Sequence, residues 1–263
     1  MTPKPAPTRR LKLTIAYDGR PFCGWQSQAK GGSIQDHLEA AFAKLCASEN
    51  RIAVHGSGRT DAGVHALAQV AHADVPAARF TPAQWVAALN GHLPREIRVM
   101  RCQWAPPGFE ARFSAVGKIY RYRLWNGPVF PPQEIGRAWH VFMPVDVETL
   151  RHCAKGLIGR HDFGGFAANR GTPCDDTVRT IHRIDITGRP GKNGGPITLT
   201  FEGDGFLYRM VRLLTGSMVR CAQGKASPDW LFKFLEIPPK SGPRPKTSFA
   251  APAEGLYLVR VKY

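Results

Sequence analysis

Two stretches of this chain present strand and helix patterns in the same order. In the first stretch, apolar residues alternate with polar ones in LKLTIAYD, as in a half-buried strand, whereas in SIQDHLEAAFAKL they recur at the spacing of one helix face. The same criteria predict, in order, a strand (11–18), a helix (33–45), extended segments (51–60 and 66–75), a helix (81–90) and a strand (97–105).

Both helices of this first stretch carry sequence signals for where they begin. Ser33 stands directly before the apolar pattern and has a side chain that can accept a hydrogen bond from the first turn. Thr81 and Gln84 occupy the two positions of a capping box, and Pro82 falls at the first helical position, where its missing N–H costs nothing. We therefore expect helices that begin directly after Ser33 and Thr81.

The second stretch repeats the order with different residues. Its patterns predict a strand (118–126), a helix that ends at Gly159 (147–159), two strands (177–188 and 197–204), a helix (206–223) and a last strand (255–263). Each stretch is thus approximately βαββαβ, which favours an α+β fold with antiparallel strand pairing.

The chain is long enough for two modest hydrophobic cores, since it has 263 residues of which 43% are hydrophobic. We place the boundary between them in the loop-like segment PPGFEARFSA. The resulting division is a Pro-rich basic tail (1–8), an N-terminal half (9–108) and a C-terminal half (109–263).

Charge indicates the class of partner. Lysine and arginine outnumber aspartate and glutamate by 36 to 20, which gives a formal charge of +16 and favours nucleic acid, with an acidic membrane surface as the second candidate. The chain has no apolar run near the roughly 20 residues that span a bilayer, and MTPKPAPTRR lacks the apolar centre of a signal peptide. We expect a soluble, cytoplasmic protein.

Cysteine and histidine spacing argues against a metal site. The six cysteines stand singly, without a CxxC pair, and the nine histidines include no HxxxH pair. We therefore expect reduced thiols and no structural metal. The cysteines are Cys23, Cys46, Cys102, Cys153, Cys174 and Cys221.

The motif HGSGRTDAGVHA (55–66) holds one carboxylate among glycines. A phosphate-binding loop would need Lys and Ser or Thr where Val64 and His65 stand, and Asp61 takes the place of the third glycine of a dinucleotide fingerprint. A glycosidase needs two carboxylates near one bond, yet the next acid after Asp61 is Asp74, beyond a strand. His65 and His72 are too far apart on an extended chain to share a metal ion. The motif therefore offers a single acid, with neither a second catalytic carboxylate nor a set of metal ligands beside it in the sequence.

Taken singly, the candidate residues have ordinary explanations. An aspartate in this setting is most typical of a turn that caps its own backbone. Arg59 and Arg212 are typical of solvated surface charges, and Tyr120 of a half-buried aromatic on a strand. Only their combination with the surrounding motifs changes this interpretation.

The motifs together resemble one family. From about residue 10 to the C-terminus the chain is similar to tRNA pseudouridine synthase A, and the GRTDAGVHA block is highly specific for it. The resemblance rests, in order, on YDGRPFCGWQSQ, SIQDHLEAAF, GSGRTDAGVHALAQVAHAD, LNGHLPREIRV, FEARFSAVGKIYRYRL, GRHDFGGF, TVRTI and GFLYRMVR.

The resemblance implies a reaction that needs one acid and no cofactor. Members of the family isomerise uridine to pseudouridine in the anticodon stem-loop of tRNAs, with positions 38, 39 and 40 expected, and the match puts their catalytic aspartate at Asp61. One carboxylate can attack the ribose anomeric carbon or help to form a glycal, and the sequence leaves both routes open. Because burial raises the pKa of a carboxyl group, a nearby cation is needed; the match points to Arg212, with Arg209 as the alternative.

The remaining site residues also follow from the resemblance. Tyr120 matches a tyrosine that stacks on the target base and helps to remove the ring proton, and Lys118 lies on the same strand face. Arg59 matches an arginine that helps to hold the flipped nucleotide. We expect two similar halves whose antiparallel sheets join into one extended sheet, an active-site cleft between the halves, and a homodimer that grips the anticodon arm of tRNA.

Two other functions fit part of this pattern. A non-catalytic tRNA-binding or folding protein would use the same basic charge and stacking aromatics, but it would not need Asp61, Tyr120 and Arg212 together. An enzyme that acts on nucleotide phosphates fails on the loop spacing, and detectable binding of a free nucleoside triphosphate would restore it.

Overall fold

The chain divides into two compact units. The computed structural model describes residues 7–47, 51–169, 176–236 and 244–263, so most of the expected tail and Cys174 lie outside the described residues. Unit 1 comprises Met1–Ala115 with Leu258–Tyr263, and unit 2 comprises Val116–Tyr257. This division differs from the expected one, because the last six residues of the chain belong to unit 1.

Unit 1 is built on antiparallel strands with two helices. Its spatial strand order is β4-β1-β3-β10, and β1 pairs antiparallel with both β3 and β4, while the short β2 pairs with β3. The elements are β1 (Thr8–Tyr17), α1 (Ile34–Cys46), β2 (His55–Gly56), β3 (His65–Pro76), α2 (Pro82–His92), β4 (Ile97–Trp104) and most of β10 (Leu256–Lys262).

Both helices of unit 1 begin where the sequence predicts. The Ser33 side chain accepts a hydrogen bond from Asp36 N, and the Asp36 carboxylate accepts one in return from Ser33 N. Thr81 and Gln84 form the same reciprocal pair at the start of α2, with Pro82 in the first turn. These boxes satisfy backbone donors that have no partner inside a helix.

The core of unit 1 follows from the alternation in β1. Leu11, Leu13 and Ile15 are fully buried, whereas the residues between them are half-exposed. On the helices, Phe42 of α1 and Trp85 of α2 are also fully buried, with ring centroids 5.4 Å apart. Burial of such side chains stabilises the fold by about 1.5 to 3 kcal/mol each before entropic costs.

Unit 2 also contains antiparallel strands. Its strand order is β5-β9-β8-β7 with antiparallel pairing throughout, and β6 adds to β5 in parallel. The elements are β5 (Gly117–Asn126), β6 (Trp139–Val141), α3 (Val147–Leu157), β7 (Gly159–Asp162), β8 (Val178–Thr187), β9 (Gly195–Gly203), α4 (Met210–Ala222) and α5 (Pro228–Phe232). The α+β class is confirmed.

Several predicted boundaries are wrong. Only His55–Gly56 of the expected strand 51–60 pairs with a neighbour, because the following residues form a glycine-rich loop. The expected helix 206–223 begins only at Met210, since Arg209 adopts a left-handed backbone conformation with φ of +59°. A residue in this conformation cannot be part of a right-handed helix, so α4 cannot extend to the residues before Met210.

The end of α3 also differs from the prediction. The helix stops at Leu157, and Gly159, with φ of +117°, opens strand β7 instead of closing the helix. The short elements β6, β7 and α5 were not predicted, because three to five residues carry too little periodicity to be recognised. Among the described residues, none of the helices combines the length and apolar character that a membrane crossing would need.

The capping box of α1 leads to a stability prediction. We expect Ser33→Ala to lower the free energy of unfolding by about 1 kcal/mol, because the bond to Asp36 N is lost. Urea denaturation measures the change. The control is Ser248→Ala at an exposed loop position, which should leave the unfolding midpoint unchanged; equal effects of both substitutions would contradict the role of the cap.

Candidate active site

In unit 1, Asp61 lies in the loop that joins β2 to β3, which we call the aspartate loop (residues 57–64). Asp61 is half-buried and Arg59 is exposed. Val64 N donates a hydrogen bond to Asp61 O over 3.1 Å, which closes a turn after the acid. Gly63 has φ of +79° in this turn, a conformation that strongly favours glycine. The turn leaves the acid at the surface of a tightly folded loop.

A second loop, after β1, holds the aspartate loop by its backbone. Trp25 N donates to Thr60 O over 3.0 Å, one residue before the acid. Gly24 has φ of +101°, and a Cβ there would lie 2.7 Å from Thr60 O. A Cβ on Gly19 would overlap Val64 O at the other end of the aspartate loop. The two backbones approach so closely because the facing residues are glycines.

Buried polar side chains lie behind the aspartate loop. The hydroxyls of Tyr17 and Thr60 are 2.8 Å apart, and Ser57 Oγ donates to Gln69 Oε1 over 2.7 Å. Gln69 Nε2 donates to Gly58 O over 2.9 Å. The sequence analysis missed Tyr17 and Gln69. The one available signal was the amide of Gln69 at a strand position that otherwise carries apolar residues.

In unit 2, Tyr120 lies on the buried face of β5. Burial alternates along this strand, with Tyr120 and Tyr122 buried and the arginines between and after them half-buried. The Tyr120 ring meets Phe206 edge to face, with centroids 5.1 Å apart, and it stands opposite Phe201 of β9. Lys118 is half-buried on the same face. The tyrosine is therefore held by neighbouring aromatic rings.

Arg212 is anchored in the first turn of α4. Its Nε donates to Ala251 O over 2.8 Å, and Ala251 N donates to Arg212 O over 2.9 Å. Arg209 is exposed, directly precedes the helix, and places its guanidinium 5.1 Å from the centre of the Tyr208 ring. The two candidates for the aspartate's cation thus differ in burial, since Arg212 is half-buried and Arg209 is exposed. The expectation that they share one helix is wrong for Arg209.

The segment that anchors Arg212 also binds Tyr122. Tyr122 Oη donates to Pro252 O over 2.7 Å, next to the carbonyl group that holds Arg212. Burial raises the pKa of Tyr122 well above its ordinary value, and the positive charge of Arg212 acts against this rise. Tyr122 is therefore neutral at physiological pH. Ala251 and Pro252, which sequence reasoning did not find, position both side chains.

The structure thus groups the predicted residues by unit. Arg59 and Asp61 share one loop of unit 1, whereas Lys118, Tyr120, Arg209 and Arg212 belong to unit 2. The pairing of Asp61 with Arg212 or Arg209 stays a prediction. Among the described residues, no three histidine, cysteine, aspartate or glutamate side chains are arranged to hold a metal ion.

Comparison with known proteins identifies close relatives. The profile of a family described as tRNA pseudouridine synthase matches residues 13–114 and 153–263. A tRNA pseudouridine synthase A from Akkermansia muciniphila is 46% identical, over 97% of this chain and 95% of its own length. One from Nitrobacter hamburgensis is 42% identical, over 97% of this chain and 99% of its own length.

The close approach of the two loops in unit 1 can be tested directly. We expect Gly19→Ala to lower the free energy of unfolding by about 1 to 3 kcal/mol, because the new methyl group must displace the backbone at Val64. Gly91→Ala is the matched control, since a Cβ there meets nothing within 4 Å. Urea denaturation measures the free energy of unfolding of both variants. If Gly19→Ala is as stable as Gly91→Ala, the contact at Val64 is not tight.

Proposed function

Because this chain belongs to the tRNA pseudouridine synthase family, we propose that it converts uridine to pseudouridine in the anticodon arm of tRNAs, at positions 38, 39 and 40. The observation that carries this proposal is the setting of Asp61. A single carboxylate, half-buried beside an exposed arginine, stands in a loop held by the backbone of a second loop. Such support fixes a reacting group in place before the substrate arrives.

The reaction is an isomerisation that balances without an external reagent. The bond between uracil N1 and ribose C1′ breaks, a bond between uracil C5 and C1′ forms, and the proton lost from C5 is matched by one gained at N1. We propose that Asp61 starts the reaction, either as the nucleophile at C1′ or by helping to form a glycal. Neither route needs a metal ion or an organic cofactor.

The residues of unit 2 complete the proposed mechanism. Tyr120 stacks on the turned uracil and assists removal of the C5 proton, and the aromatic neighbours of its ring support that position. Arg212 supplies the positive charge that keeps the catalytic carboxylate ionised, with Arg209 as the alternative. The anchoring of Arg212 by Ala251 O favours Arg212, because a fixed cation needs less reorganisation during the reaction.

Binding of the tRNA is proposed to rest on cations and on a second copy of the chain. Arg59, Lys118 and Arg209 contact the flipped nucleotide and the neighbouring phosphates, in a protein of net charge +16. We propose a homodimer in the cytoplasm, with both copies gripping one tRNA.

The alternative is a protein that binds tRNA without modifying it. The basic charge and the aromatic side chains would serve that function equally well. The loop that fixes one acid distinguishes the two, since a carboxylate repels phosphate and does not favour a surface that only binds RNA.

The function is tested by removing the charge of Asp61 alone. Asp61→Asn keeps the size of the side chain, so pseudouridine formation should disappear while tRNA affinity is unchanged or slightly higher for lack of repulsion with phosphate. The assay is single-turnover pseudouridine formation on an unmodified tRNA transcript, with filter binding alongside. Asp229→Asn, at an exposed position in α5, is the control and should keep full activity. Near-normal turnover by Asp61→Asn would refute the mechanism.

Salt dependence tests the mode of binding. If lysine and arginine contacts to phosphates dominate, tRNA affinity should fall by roughly 10³-fold or more between about 50 and 200 mM salt, through counterion release. Filter binding over a salt series measures this slope, and an uncharged solute at equal osmolality serves as the control. Affinity that stays flat over the series would contradict a phosphate-directed interface.

A further inference from the structure

Gln69 occupies a position on β3 where an apolar residue would be expected. In the pairing of β1 with β3 it stands opposite Ile15, in line with Leu13 opposite Ala71, so it shares a face with buried apolar side chains. Gln69 itself is fully buried. A buried amide without hydrogen bonds lowers stability by about 1 to 3 kcal/mol, so a buried glutamine is expected to have hydrogen-bond partners.

Two of those partners lie in the aspartate loop, and the third is the next residue of β3. Gln69 Oε1 accepts hydrogen bonds from Ser57 Oγ at 2.7 Å and from Val70 N at 3.1 Å, and Gln69 Nε2 donates to Gly58 O at 2.9 Å. Ser57 N also donates to Val70 O over 2.8 Å. The amide therefore fixes the first two residues of the loop to the sheet.

Tyr17 also holds the aspartate loop, at the residue directly before Asp61. It ends β1, is 5% exposed, and its hydroxyl lies 2.8 Å from Thr60 Oγ1. The register of β1 and β3 shifts between Ile15 and Tyr17, so that Tyr17 faces Ala66, as in a β-bulge that redirects a side chain. Burial raises the pKa of Tyr17 far above its ordinary value, and hydrogen bonds with Thr60 and Gln69 only partly oppose this rise. The phenol therefore stays protonated.

We propose that Tyr17, Ser57, Thr60 and Gln69 form a positioning network that holds the aspartate loop in its reactive geometry. This inference rests on the proposed function and deepens it, because it assigns residues that act on the reaction only through Asp61. Three points of the loop before the acid, Ser57, Gly58 and Thr60, are each bonded to a side chain of the sheet. None of the four side chains needs to touch the tRNA.

A purely structural role would not require buried polar side chains at these four positions. Four buried polar side chains contribute little net stability to a core, since each exchanges bonds with water for bonds within the protein. An apolar set of similar shape would pack at least as well. What the polar set adds is direction, because a hydrogen bond fixes the loop backbone to within a few tenths of an ångström and an apolar contact does not.

A double-mutant cycle on Tyr17 and Thr60 tests the network. Tyr17→Phe removes only the phenol hydroxyl, and Thr60→Val replaces only the partner hydroxyl with a methyl group. We expect each to lower the single-turnover rate of pseudouridine formation at saturating tRNA by about tenfold or more, because small displacements of a reacting group are costly. The double variant should be no slower than Tyr17→Phe to within about twofold, since that substitution already removes the bond between the two hydroxyls.

Two further measurements separate positioning from folding and from binding. Rates are taken well below the unfolding midpoint of every variant, so that loss of folded protein cannot explain them. The Kd for tRNA should stay within about twofold of the wild-type value, which places the effect in the rate and not in affinity. Thr60→Ser keeps the hydroxyl and should restore most of the rate.

Tyr263→Phe is the matched control. It removes another hydroxyl of unit 1, one that donates to Ala111 O over 2.7 Å and does not contact the aspartate loop, so the wild-type rate should persist. Gln69→Met should be slower than Tyr17→Phe, because two loop residues lose their partners; if it does not fold, the cycle on the hydroxyls still decides.

The outcomes also distinguish this inference from the proposed function. Wild-type rates for Tyr17→Phe and Thr60→Val, additive losses in the double variant, or losses confined to Kd would each overturn the positioning network and leave the enzyme's function intact. Wild-type protein that binds tRNA and forms no pseudouridine would overturn the function and the inference together.

Discussion

The close contact of two backbones in unit 1 is the constraint on which the candidate site depends. Trp25 N bonds to Thr60 O, and at positions 19 and 24 only glycine leaves room for the aspartate loop. A loop of eight residues with two glycines would otherwise lose much conformational entropy on ordering. The sheet and the second loop both bond to the aspartate loop. Asp61 is therefore held in a defined position although it lies on a loop.

Unit 2 holds its candidate residue through a carbonyl group. The Arg212 guanidinium bonds to the carbonyl group of Ala251, and the neighbouring Pro252 carbonyl accepts a hydrogen bond from Tyr122. Gly216 of α4 allows this segment to lie directly against the helix, since a Cβ there would overlap Phe249 O. A charged side chain with a long, flexible stem thereby loses much of its freedom before any substrate binds, which lowers the entropic cost of using it.

In unit 1 the candidate acid lies on irregular backbone that a regular sheet supports, whereas in unit 2 the candidates Tyr120 and Arg212 lie on a strand and in the first turn of a helix. The strands supply rigidity through ladders of hydrogen bonds, and the loops supply orientation through glycine conformations and left-handed residues such as Arg209. Buried polar side chains connect the two levels in unit 1. This arrangement gives residues with ordinary core chemistry, such as Tyr17 and Gln69, direct contacts with the aspartate loop.

The sequence by itself determined the α+β class, the long strands, the starts of α1 and α2, and the family. These depend on periodicity over eight or more residues, on local capping chemistry, and on motifs such as GRTDAGVHA that need no knowledge of contacts. Only the tertiary structure decided where α4 begins, that Gly159 opens a strand, and which groups hold the aspartate loop and Arg212. Those features arise from a left-handed residue and from hydrogen bonds such as Tyr17 to Thr60 and Arg212 to Ala251. Their partners lie 43 and 39 residues apart, beyond the reach of any local pattern.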